Sequence, residues 1–158
     1  MRRRCFYAKS WFRAEKCPTE SWSPDQAREA HGEGRLYTVL IDSADKPSCF
    51  LEIAQDFIGV GFLDERLREN LTYQFHESEG NKVFLRMATY REFYGDSDKV
   101  ANGTTYIFQP NGKLVIRREK FLPEHSLEVA ESQADVSKNY SMFPECGEYE
   151  DLLTVERM

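Results

Sequence analysis

The sequence predicts an α+β protein: a single domain built on one highly curved antiparallel β-sheet of about six to seven strands in meander order, with one or two short helices. Three observations carry that expectation. From Arg35 to Phe121, apolar residues recur at every second position in one short segment after another, which is the period of a half-buried strand. The breaks between segments are short and rich in Asp, Ser, Gly, Asn and Pro, so neighbouring strands join by turns rather than crossovers. One stretch before them, Ser23 to Gly34, carries helix punctuation instead. At 158 residues the chain has the size of one domain with its own core.

Residues 1–34 make a basic, aromatic N-terminal segment. "CFYAKSWF" alternates loosely and reads either as a first strand or as an aromatic lid. In "SWSPDQAREAHGEG" Ser23 is placed to cap, Pro24 fits the first helical position, and Gly32 and Gly34 end a helix of about two turns. His31 falls where it would cap the end of that helix.

Residues 35–121 carry the sheet. Tyr37, Val39 and Ile41 share one face, as do Cys49, Leu51 and Ile53, then Ile58, Val60 and Phe62. In "NLTYQFHE" Leu71, Tyr73 and Phe75 point inward while Thr72, Gln74 and His76 point out. "KVFLRMATYREFY" puts Val83, Leu85 and Met87 on one face and Arg86 on the other. The strongest local signal is "TTYIFQPNGKLVIRRE", where Pro110, Asn111 and Gly112 suit a three-residue hairpin loop with Gly in the left-handed position. Gln109 then opposes Lys113, Phe108 aligns with Leu114 and Tyr106 with Ile116, so turn chemistry and apolar pattern select one register. Residues 122–158 form an acidic C-terminal segment with a helix turn expected at "EHSLEVAESQ". Its Tyr140, Phe143, Tyr149, Leu152 and Leu153 bring the chain back onto the sheet.

Charge narrows the function classes. The net charge of −6 disfavours nucleic-acid binding, which draws its affinity from a basic surface, and suits docking onto something basic. The balance is uneven: residues 1–16 carry six Arg and Lys against Glu15, a net +5. From Glu124 onward nine acids face Lys138 and Arg157, a net −7. Cys5, Cys17, Cys49 and Cys146 are far apart with no C-x-x-C pair, so a zinc site is disfavoured and reduced thiols in a cytoplasm are expected, although the even number leaves two bridges open. The N terminus is basic but lacks an apolar signal region, and no segment has the length of a membrane span.

The search for chemistry returns little. His31, His76 and His125 are the only histidines, Gly-x-Ser-x-Gly is absent, and none of the three sits in a recognisable catalytic frame. "HESE" at 76–79 and "EYED" at 148–151 read as solvated acid rather than metal ligands. Asp64, Glu65 and Glu52 offer carboxylates for a glycosidase-like pair, an arrangement that depends on geometry. Gly59-Val60-Gly61 is flanked on both sides by β-formers (Phe57, Ile58, Phe62, Leu63). It is therefore not a phosphate loop, which needs a helix after the glycines. The pair marks a bend, or a patch that aromatics from a neighbouring strand cover. No catalytic residue, metal or cofactor is expected.

Four segments in this order, "IGVGFLDERLRENLTYQFHE", "KVFLRMATYREF", "TYIFQPNGKLVIRRE" and "DVSKNYSMFPECGEYEDLL", resemble small bacterial immunity proteins of polymorphic or contact-dependent toxin systems. The resemblance spans roughly residues 36–156 and carries fold marks rather than chemical signatures. It implies a non-enzymatic cytoplasmic inhibitor that binds one cognate protein toxin, a basic nuclease domain being a suitable class, and occludes its active site or substrate groove. The charged turn Asp64, Glu65 and Glu69 is the first candidate contact surface. The second is the acidic tail around an aromatic anchor: Glu145, Glu148, Tyr149, Glu150 and Asp151. Two rival readings are a curved sheet or small barrel enclosing an apolar ligand, and a hydrolase using a carboxylate pair or His76 with an acid.

Overall fold

The computed structural model describes residues 3–155; Arg2, Glu156 and Arg157, which enter the charge balance above, lie outside the described residues. The chain begins with β1 (Cys5–Ala8), β2 (Trp11–Phe12), β3 (Cys17–Pro18) and β4 (Ser21–Trp22), followed by α1 (Pro24–Glu33). Then come β5 (Tyr37–Ile41), β6 (Cys49–Ile53), β7 (Phe57–Leu63), β8 (Glu69–Ser78) and β9 (Lys82–Phe93). The last strands are β10 (Val100–Phe108), β11 (Lys113–Lys120), β12 (Ser126–Gln133) and β13 (Tyr140–Met142). Ten strands lie side by side in the order β12-β11-β10-β9-β8-β7-β6-β5-β1-β4, with β13 added on β9, and β2 pairs with β3 as a separate hairpin.

This corrects the α+β expectation. The protein is mostly one antiparallel sheet with a single α-helix among the described residues, and its row holds ten strands rather than six or seven. Both flanking segments supply the surplus. "CFYAKSWF" divides its two readings: Cys5–Ala8 is a strand between β5 and β4, and Trp11–Phe12 belongs to the hairpin. "EHSLEVAESQ" is no helix turn but β12. Its Glu128 lies opposite Arg118, and Glu131 meets Lys113 at 3.6 Å. Pairing with a basic strand overrides the weak helical leaning of Glu, Ala and Gln.

The helix forms as its punctuation demands but runs longer than two turns. The Ser23 hydroxyl accepts from the Gln26 N–H at 3.2 Å while the Gln26 side chain accepts from the Ser23 N–H at 2.8 Å, a reciprocal cap. Gly34, at φ 69°, closes the C terminus, so Gly32 lies inside the helix and His31 is not the cap. The β10–β11 hairpin has the expected register, with Phe108 opposite Leu114, Tyr106 opposite Ile116, and Gly112 at φ 92°.

The two faces of the sheet are treated differently along its length. One face of β5 to β9 carries the alternating apolar set from Tyr37 to Ala88, buried under α1 (Ala27, Ala30) and under Tyr149, Leu152 and Leu153 of the C-terminal segment. The opposite face of β5 and β6 carries Leu40 and Phe50, buried with Ala8 and Trp11 beneath the β2–β3 hairpin. Strands β5, β6 and β7 are therefore covered on both sides. In β9 the alternation shifts: a bulge between Leu85 and Met87 places Val83, Leu85 and Ala88 in the core. Met87 is moved off the face its spacing predicts, because the extra residue, Arg86, reverses the phase.

Gly59 and Gly61 are explained by the second face. Phe50, directly opposite Gly61 on the adjacent strand, lays its ring where a side chain would stand. A Cβ on Gly61 would come within 2.6 Å of that ring and 2.9 Å of Glu69 Oε1. Trp11 stacks on Phe50 at 5.5 Å between centroids, with the rings 20° from parallel. The glycine thus seats the aromatic that anchors the hairpin. Gly61→Ala should destabilise the fold by about 1–3 kcal/mol through overpacking. Gly59→Ala, whose nearest neighbour would be the Phe57 ring at 3.3 Å, should cost less. Urea unfolding of both variants checks this, and Phe50→Leu should recover part of the Gly61→Ala loss.

Candidate functional site

Tyr149 belongs to the core. Its hydroxyl meets that of Tyr37 at 2.9 Å, and Tyr37 in turn meets His31 Nδ1 at 2.7 Å. The side chain is 1% exposed. Burial pushes both phenols well above their ordinary range, and burial also lowers the His31 imidazole against a smaller opposing pull from Glu145. This chain of polar contacts fixes the C-terminal segment over the sheet and to α1. Glu145, Glu148, Glu150 and Asp151 surround the buried ring as exposed residues. The tail thus keeps its acids at the surface and withdraws its aromatic from any partner.

The charged turn is similarly committed to the fold. The Asp64 carboxylate accepts from the N–H groups of Arg66 and Arg68 at 2.9 and 3.0 Å and pairs with the Arg68 guanidinium at 2.8 Å. Burial opposes the charge of Asp64, but these donors outweigh it and hold the carboxyl below its ordinary range. Arg68 also donates to the carbonyls of Gly95 and Ser97, tying the turn to the next loop. Glu69 faces the hairpin side, where Arg13 bridges it at 3.1 Å and Glu52 at 2.6 Å. Glu65 alone of the three projects into solvent. Glu69 lies on the face covered by the hairpin and the tail covers the other, so the two predicted patches do not form one surface.

Of the carboxylates offered for a catalytic pair, Glu52 converges with Glu69 on Arg13, which neutralises both, and the His76 reading does not meet Asp64. Phe57 pairs with His76 and Leu63 with Glu69, so His76 and Asp64 lie at opposite ends of β7, about 20 Å apart by strand rise. His76 packs edge-on against Phe57, and His125 pairs with Glu119 at 2.6 Å on the far hairpin. Among the described residues no group of three His, Cys, Asp or Glu side chains is arranged to hold a metal ion. All four cysteines are free thiols, and burial pushes that of Cys49 up to about 12. No described helix is long and apolar enough to cross a membrane.

Two open features bear on binding. A cleft of about 610 Å³ lies between the N-terminal hairpin and β8–β9, with Thr72 and Gln74 among its lining and Arg13, Arg68 and Arg91 around it. Arg13 and Arg68 are neutralised as described, and Arg91 donates to Thr72 Oγ1 at 2.8 Å. The second feature is the far end of the sheet. Among the described residues no layer of helix or tail covers most of β10 to β12, and every residue of β12 is exposed, including Leu127 at 43% and Val129 at 59%. The small cluster of Phe84, Phe108 and Val136 secures only the turn end of this wing. Two sequence signals mark β12 in hindsight: Leu127 and Val129 two apart, and four acids (Glu124, Glu128, Glu131, Asp135) within 124–135 without one Lys or Arg.

No protein-family model, curated protein or solved structure matches this chain.

The tail anchor gives two expectations. Tyr149→Phe removes the hydroxyl that meets Tyr37 and should lower stability by about 1 kcal/mol in chemical denaturation. His31 titrates lower in the folded than in the unfolded chain, so between those values the unfolded chain binds more protons. Stability should therefore be highest with His31 neutral and fall as the pH drops below about 6.5, a loss that His31→Gln should diminish in melting curves.

Proposed function

We propose that this chain is a toxin-neutralising protein of the bacterial immunity type, which binds one toxin domain in the cytoplasm and blocks its active site or substrate groove without chemistry of its own. The observation that carries this reading is the open wing: strands β10 to β12 extend a rigid, doubly covered core into a region where backbone edge and side chains are offered outward. The sequence resemblance points the same way. An acidic chain of net charge −6 gains association rate against a basic nuclease from long-range steering. An inhibitor interface of standard size takes about 800 Å² from each partner, and the described surface of 9431 Å² supplies it readily.

The enclosed-ligand reading loses its space. The apolar face that would have lined such a cup is filled by Tyr149, Leu152, Leu153 and α1. Exposed acids at Glu65, Glu145, Glu148, Glu150 and Asp151 add to the charge that attracts a basic partner.

The direct test is to ask whether the reading frame adjacent to this one encodes a toxin-like domain and to co-express that domain with this chain. The expected result is rescue of growth together with co-purification of the two proteins as a stoichiometric complex. Rescue without physical association would overturn occlusion as the mechanism, and absence of rescue would overturn the immunity reading itself.

A further inference from the structure

We infer that β12 is a strand-addition site that takes an extended, basic and apolar segment of the partner as the next strand of the sheet. The two ends of the row are unequal. At one end β4 has two residues, Ser21 and Trp22; at the other β12 has eight, in unbroken register with β11 from Lys113–Gln133 to Lys120–Ser126. Half of the β12 backbone N–H and C=O groups point away from β11, by the geometry of an antiparallel ladder. A segment laid along that edge forms main-chain hydrogen bonds while its side chains meet those of β12 face to face.

Edges of this length are normally blunted by lysine, proline, a bulge or a covering loop. β12 has no Lys, Arg or Pro, its register with β11 shows no bulge, and none of its residues is covered. What it carries is acid and apolar surface. Leu127, Val129 and Glu131 alternate onto one face, and Glu128 and Ala130 onto the other. The charge pattern selects the occupant. Lys113 and Arg118 stand behind Glu131 and Glu128 on β11, but an incoming strand is in direct register with β12 and meets the carboxylates first. A second copy of this chain, paired edge to edge, would bring four acids from each copy, Glu124, Glu128, Glu131 and Asp135, along one seam with no Lys or Arg on either edge strand, which disfavours it. A partner strand running antiparallel instead matches β12 when its residues, read from its N terminus, are basic opposite Glu131 and apolar opposite Val129. The next two are basic opposite Glu128 and apolar opposite Leu127. The inference rests on the toxin-binding reading for the source of that segment, and it specifies how the segment docks.

The test uses the intact chain, labelled for amide NMR, and a nine-residue peptide of that pattern. Its controls are the same peptide with acids in place of the bases, and one with alternate backbone nitrogens methylated. The expected result is shifts confined to residues 126–133 and their β11 neighbours with the basic peptide, weaker binding with the acidic one, and loss of binding in one of the two methylation phases. In the double variant Glu128→Lys/Glu131→Lys the preference between basic and acidic peptides should reverse, by roughly tenfold in relative affinity for two cross-strand charge pairs. Unchanged dispersion of the remaining amides reports that this variant folds. Shifts centred on Glu145–Asp151, equal loss in both methylation phases, no binding, or a dimer of the free chain by light scattering would each overturn the assignment. If the toxin still co-purifies at full affinity with the double variant and with Val129→Lys, the toxin reading stands and β12 is not its contact.

Discussion

A single ten-strand sheet has more face than this chain can cover, and that constraint governs the rest of the structure. A strand needs at least one buried face to hold its register, yet the residues outside the sheet amount to one helix of ten residues, a small hairpin and a C-terminal segment. They are concentrated at one end. α1 and the tail lie on one side of β5 to β9, and the hairpin on the other side of β5 to β7. The result is a molecule with a firmly packed base and an uncovered wing.

The covering pieces are held by contacts more specific than apolar contact alone. On one side Gly61 leaves the recess in which Phe50 lies, Phe50 takes the stack of Trp11, and Arg13 crosses the same ring at 5.2 Å to reach Glu52 and Glu69. On the other, the buried hydroxyls of Tyr37 and Tyr149 and the half-buried imidazole of His31 satisfy one another at the margin of the core. An unpaired polar group there would cost more than the contact returns. Several residues with the appearance of functional groups in the sequence, Glu52, Glu69, His31 and Tyr149 among them, are thus employed in holding the cover to the sheet.

Legibility followed the range of the interaction. The helix cap at Ser23, the Pro110–Gly112 turn and the alternation from Tyr37 to Phe75 are local, and the structure repeats them residue for residue. Met87 escaped because a single inserted residue reverses a strand's phase without any local mark. β12 escaped, and β1 stayed open between a strand and a lid, for a different reason. Each is decided by a partner distant in sequence: β1 pairs with β5, and the acids of β12 pair with the bases of β11. In the sequence Tyr149 stands as an anchor among acids, since nothing in "ECGEYEDLL" tells which way the ring turns, and its partner Tyr37 lies 112 residues away. The open edge was hardest to see, because it is a property of the order of strands rather than of any segment.

The placement of rigidity bears on how such a wing works. A disordered binding segment must lose backbone freedom on docking, at about 1–2 kcal/mol per residue. β12 has already lost it, because its eight residues are held by β11 and, through β10 and β9, by a core closed on both faces. Only the incoming strand then has to order, and part of that cost is offset by hydrogen bonds to a fixed template. The same rigidity would serve indiscriminate aggregation equally well, and a bare apolar edge would invite it. Glu128 and Glu131 separate the two outcomes. They disfavour acidic strands, this chain's own β12 included, and leave the edge open to basic ones. The uncovered end of the sheet is accordingly best understood as a surface kept open for one kind of charge.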